Sequence, residues 1–124
     1  MDTMLSLFIS LIVPLVMVVF GLIAMRGGPR KVNIWYGYRT PMASKNQDTW
    51  VFAHKYVGRL MLPMGIVLIL VSVGTIFLRD HGTVPGSLPG ILALIGVAMV
   101  IILIFPTEMA LRRTFDKNGN RLAV

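Results

Sequence analysis

Cysteine is absent from this chain, so neither disulfides nor thiol chemistry can contribute to its stability or its work. Acidic residues are nearly as scarce: five Asp and Glu stand against twelve Lys and Arg, a formal net charge of +7. The only histidines, His54 and His81, fall in different loops with no acidic cluster between them, which leaves no set of metal ligands and no implied cofactor. A further absence is positional. Three runs, Thr3 to Met25, Leu60 to Leu78 and Leu88 to Thr107, contain no charged residue at all.

What is present is apolar surface. Hydrophobic residues make up 56% of 124 positions, more than one small domain can bury. Each uncharged run is close to the roughly 20 residues with which a helix crosses a bilayer core, and a spanning segment must satisfy its backbone internally. The sequence therefore predicts an all-α integral membrane protein, a single membrane domain with three transmembrane helices at about residues 3–25, 60–78 and 88–107. A first loop (26–59), a short external turn (79–87) and a tail (108–124) complete it. The first run is not read as a cleaved leader, because Asp2 stands where a basic region is expected and no A-x-A-like site precedes Arg26.

The basic residues are unevenly placed. Seven lie between Arg26 and Arg59, four follow Thr107, and the second loop has only Arg79. Basic loops are retained in the cytoplasm, so the expected orientation is N-out and C-in. The high sequence pI, near 10.6, then reflects retention and attraction to anionic lipid heads rather than nucleic-acid binding.

Within the first loop, "RGGPRK" (Arg26 to Lys31) ends the first helix. Ser44 followed by Gln47 matches a capping box, placing a helix start near Lys45. Trp50, Ala53 and Val57 recur at helical spacing, which predicts a cytoplasmic interfacial helix before the second span, with Trp50 and Tyr56 at headgroup level. In the tail, Leu111 and Phe115 form one face of a short helix beyond Pro106, and Asn118-Gly119 reads as a turn. Gly90, Ala93 and Gly96 put small residues on one face of the third span, and Pro14, Pro63 and Gly65 are tolerated breakers or kinks.

Between Asn33 and Trp50 lies "NIWYGYRTPMASKNQDTW", the segment richest in specific groups. Gly37 permits positive φ, and Pro41 pushes Thr40 towards an extended shape. The shaped loop presents Arg39, whose planar donors suit a phosphate or a carboxylate, beside the hydrogen-bonding groups of Asn33, Tyr36, Tyr38 and Thr40. Arg39 serves equally as a lipid-phosphate anchor or a partner for a helix C-terminus. His54 fits an ordinary interfacial hydrogen bond, and Glu108 is placed to pair with a basic residue of the loop. No nucleophile stands beside a base, so an enzyme is not expected.

"GYRTPMASKNQDTWVFAHKYVGRLMLPMG" (Gly37 to Gly65), preceded by Asn33, resembles the SdpI/YfhL family of bacterial membrane proteins. The pattern is an Asn before G-x-R-T-P, then a Trp, a His four residues on and a Gly four after that. Asn33, Gly37, Arg39, Thr40, Pro41, Trp50, His54 and Gly58 fit it. Longer members carry a further membrane region before this segment, so the chain looks like a short form. The resemblance implies an immunity protein that resists a secreted membrane-active peptide, a binding role for those residues with Tyr38, and a signalling role through a cytoplasmic regulator. Alternatives from other classes are a small oligomeric transporter or channel subunit, and a lipid-phosphate enzyme using Arg39, His54 and Glu108. The bilayer, a toxin peptide and further copies of the chain are the expected partners.

Overall fold

The structure is a computed structural model that describes residues 3–33, 36–80 and 87–122. Among these residues it is all-helical, with α1 (Thr3–Met25), α2 (Gln47–Asp80), α3 (Leu88–Ile102) and α4 (Ile104–Thr114). Three helical segments are long and apolar enough to cross a membrane, with α3 and α4 acting together as the third. Only 28%, 28% and 22% of their most apolar windows are buried within the chain, so most of each surface is left for lipid. The expected external turn lies largely outside the described residues, at 81–86, as do His81 and Asp2.

The elements follow from local chemistry. α1 ends where Gly27 and Gly28 adopt positive φ, and the Gly28 N–H donates back to the Ile23 carbonyl at 3.0 Å. α1 and α2 pass through Pro14 and Pro63 without a break. The gap between α3 and α4 is one residue, Leu103, whose dihedrals remain right-handed helical. Its position has a direct cause: Pro106 has no N–H to give the Ile102 carbonyl four residues earlier. Because Leu103 N–H still bonds Met99 at 3.1 Å and Thr107 N–H bonds Leu103 at 3.3 Å, the two helices continue as one rod. The tail helix expected after Pro106 is thus the end of this rod, and its break precedes the proline.

α1 and α2 pack closest. An ideal Cβ on Gly58 would come within 2.7 Å of the Met25 backbone nitrogen, and one on Gly21 within 3.0 Å of Leu62 nitrogen. Glycine at these crossings lets the backbones meet, as small residues do between membrane helices. Of the third-span residues expected to allow close contact, Gly96 does so against Val13 and Leu68, whereas Gly90 faces open space. The core between the helices is formed by residues such as Met17, Val57, Met61 and Leu68, with Leu92 and Leu103 from the third segment.

α2 is the longest element. Its 34 residues reach about 51 Å, well past a hydrocarbon core about 30 Å thick. The helix expected before the second span runs on into it: Trp50, Ala53 and Val57 lie in the first turns of α2 itself. These turns, the loop before them and the end of the chain gather at one end of the bundle as a compact cap.

Candidate functional site

The cap begins at the start of α2. Asn46 Oδ1 accepts the Thr49 N–H at 2.9 Å, and Thr49 Oγ1 accepts the Asn46 N–H at 3.1 Å. This is a reciprocal capping box, two residues beyond the Ser44–Gln47 pair expected from sequence. Gln47 is free for another task, and its side-chain amide donates to the Arg30 carbonyl at 2.6 Å.

Gln47, Trp50, His54 and Gly58 are spaced three, four and four apart, and so share one face of α2. That face grips the first loop and the end of α1. Trp50 is fully buried, and its Nε1–H donates to the Pro29 carbonyl at 2.8 Å. It is therefore not the headgroup-level anchor expected from sequence; its indole is enclosed by loop and helix, with its ring centroid 4.4 Å from that of His54. Tyr56 is half-buried and stacks on Phe52.

His54 is also fully buried, and both ring nitrogens are engaged. Nε2 lies 2.9 Å from the Tyr38 backbone nitrogen, which can only donate. Nε2 must accept, so the proton sits on Nδ1, 2.8 Å from the Trp50 carbonyl oxygen that receives it. The ring is a neutral strut with no lone pair left for a reacting group. Gly37 makes the approach possible: its φ is +108°, and a Cβ there would fall 2.8 Å from His54 Nε2 and 3.3 Å from the Trp50 ring. Gly28 is packed against the same ring, where a Cβ would meet His54 Cδ2 and Cγ.

Beyond Gly37 the loop crosses to the third segment. The Tyr38 hydroxyl donates to Glu108 Oε1 at 2.7 Å. Burial, and then the bond and charge of Glu108, push the Tyr38 phenol well above its ordinary range, while a hydrogen bond from Thr40 opposes the shift. Glu108 thus meets the first loop through a tyrosine. Thr40 turns the chain, its Oγ1 accepting the Ala43 N–H at 3.3 Å and its carbonyl accepting the Ser44 N–H at 3.0 Å, with exposed Pro41 between. Arg39 is exposed between these two fastened neighbours. Asn33 shapes the start of the loop, its Oδ1 accepting the Tyr36 N–H at 2.9 Å and its amide donating to the Lys31 carbonyl at 3.0 Å.

The end of the chain closes the cap. Leu111 and Phe115 do share a buried face, packed with Ala43 and Ala53, although Phe115 is already extended. Asp116 and Gly119 make a tight turn, in which Asp116 Oδ1 accepts the N–H groups of Asn118 and Asn120. Asn46 Nδ2–H then donates to the Gly119 carbonyl at 2.7 Å, and Arg121 forms a two-pronged ion pair with Asp48 at 2.8 Å. These contacts with the tail were not visible in sequence, since about seventy positions separate the partners and no local spacing links them.

Gly37, Tyr38, Trp50 and His54 are thus in direct contact, Glu108 joins through Tyr38, and Gly58 extends the same stripe to α1. Arg39 and Thr40 line the mouth of a second feature. A cleft of about 860 Å³ runs between α1 and α3, with Val57 and Met61 as its floor. Its walls are apolar, and its polar groups come from the Gly37 to Thr40 segment at the cap end. Among the described residues, no three of His, Cys, Asp and Glu come together as metal ligands would.

Residues 30–107, most of the chain, match the model of the SdpI/YfhL protein family. No curated protein and no solved structure matches the chain.

Proposed function

The chain belongs to the SdpI/YfhL family, and on that premise we propose that it is a non-enzymatic immunity protein of the bacterial cytoplasmic membrane, conferring resistance to a secreted membrane-active peptide. The family match carries this reading, because it covers the cap-forming residues from Arg30 through the Trp50-His54-Gly58 stripe and on to Thr107. The loop chemistry is consistent with binding rather than turnover: His54 has both nitrogens committed, and Glu108 is held by the Tyr38 hydroxyl. In the proposed orientation the cap faces the cytoplasm, where eleven of the twelve basic residues gather. It would there be available to a soluble regulator.

The test is survival of a sensitive bacterium challenged with secreted membrane-active peptides, with and without this protein, comparing wild type with Arg39→Ala at matched membrane abundance. Wild type should protect and Arg39→Ala should protect less. Failure of wild type against every peptide would refute the resistance reading and make ion or solute flux in liposomes the next measurement. Equal protection by both would move the activity from the loop to the spans.

A further inference from the structure

We propose that the cleft between α1 and α3 is a binding site for one anionic phospholipid from the leaflet at the cap end, with an acyl chain along the cleft and the phosphate at Arg39. Three observations converge. The cleft is lined by the apolar side chains of Val13, Val16 and Phe20 on one wall and Val97, Val100 and Ile104 on the other. At membrane depth no water competes for such surface, so hydrocarbon chains are the solvent that fills it. Its axis follows the helices: Ile12 to Phe20 advances about 12 Å along α1, and Val97 to Ile104 nearly as far.

The two ends of the cleft differ. At the cap end the Gly37 to Thr40 segment lines it, and Arg39 supplies the cation among the lining residues. Tyr38, bonded to His54 and Glu108, and Thr40, bonded to Ala43, fix the backbone on either side of Arg39. Arg39, exposed on this segment, thus stands at the polar end of the cleft, the end at which the head of a lipid would lie when its chain occupies the apolar part. Exposed Arg30, Lys31 and Lys45 on the same loop add a positive field that favours an anionic over a zwitterionic head. A helical peptide needs a trough about 10–12 Å across and brings no compact anion to Arg39, whereas a single acyl chain is narrower and ends in one.

This proposal is separate from resistance, because it concerns what occupies the cleft of the purified protein. The test is native mass spectrometry of protein released from bilayers of equal palmitoyl-oleoyl phosphatidylglycerol and phosphatidylcholine. Wild type should retain one phosphatidylglycerol with a preference of about tenfold, because both heads carry the phosphate but the cations of the loop repel the trimethylammonium of phosphatidylcholine. Arg39→Ala should lower retention of both lipids by about tenfold, the loss of one charge-assisted hydrogen bond to the phosphate they share. Ile101→Trp, which fills the cleft from a lipid-exposed position, should lose both, while Lys55→Ala, an exposed cation outside the cleft, should behave as wild type. Equal retention of both lipids by wild type would overturn the proposal, as would a loss in Lys55→Ala matching that in Arg39→Ala, or retention intact in Ile101→Trp. Capture of an added apolar helical peptide, with no phospholipid retained by the peptide-free protein, would overturn it in favour of a peptide site.

Discussion

The two ends of this molecule are held together by different means. In the cap, Thr49, Trp50 and His54 are fully buried and each has named hydrogen-bond partners, as in the core of a small water-soluble domain. Towards the other end, Leu70 and Leu94 are 68% and 71% exposed, and the chain leaves most of their surface to lipid. A buried polar bond does occur there, from Ser72 Oγ–H to the Ser10 carbonyl at 3.2 Å. The contrast teaches where specificity resides. Many apolar side chains would satisfy a lipid-facing surface, whereas the cap requires particular donors at particular places.

Substitutions should separate the two regimes, beginning with the largest effect. Trp50→Ala removes the most voluminous fully buried side chain and strands the Pro29 carbonyl, and should loosen the cap by about 3–5 kcal/mol. Hydrogen exchange should show loop amides accelerating by more than about a hundredfold while mid-span amides stay protected. Comparable acceleration in the spans would show that the regions are one cooperative unit. Leu111→Ala, at the other side of the cap, should cost about 2–5 kcal/mol and release the tail, readable as new protease cleavage after Thr114.

Tyr38→Phe should cost about 1.5–3 kcal/mol, the worth of a hydrogen bond to a charged partner, and detach the loop from α4. The pH dependence has a definite sign. The folded phenol titrates above its ordinary value of 10.0, so its contribution is complete below that pH and is lost as pH rises through the elevated folded value. Tyrosinate absorbance should show a late component that Tyr38→Phe abolishes. Leu94→Ala, at a lipid-facing position, should change stability by no more than about 0.5 kcal/mol in a thermal melt, which keeps the regimes distinct. Smallest of all, Arg121→Ala should leave the melt unchanged despite good geometry, since the ion pair is solvent-exposed and screened.

The same contrast explains what could be read from sequence. The spans were legible because an uncharged run of about twenty residues has few alternatives. The positive φ at Gly37 and the buried pairing of Leu111 with Phe115 also followed from local rules. The role of Trp50 did not. Grouping it with Ala53 and Val57 selected a neighbouring face of the helix, whereas the spacing Gln47, Trp50, His54, Gly58 was present and marks the stripe that contacts the loop. The capping box was displaced because Ser44 satisfies the pattern while Asn46 and Thr49 satisfy the geometry. Tail contacts such as Asn46 to Gly119 depend on tertiary folding, for which sequence spacing offers no signal.

The central claim is that the first loop is fastened to α2 through a neutral His54, and nitrogen NMR of the labelled protein tests it at the atom concerned. The account predicts a slow-exchanging imidazole with its proton on Nδ1 and a through-bond coupling from the Tyr38 amide to Nε2. A proton found on Nε2, or a ring averaging between tautomers with no coupling to Tyr38, would contradict it.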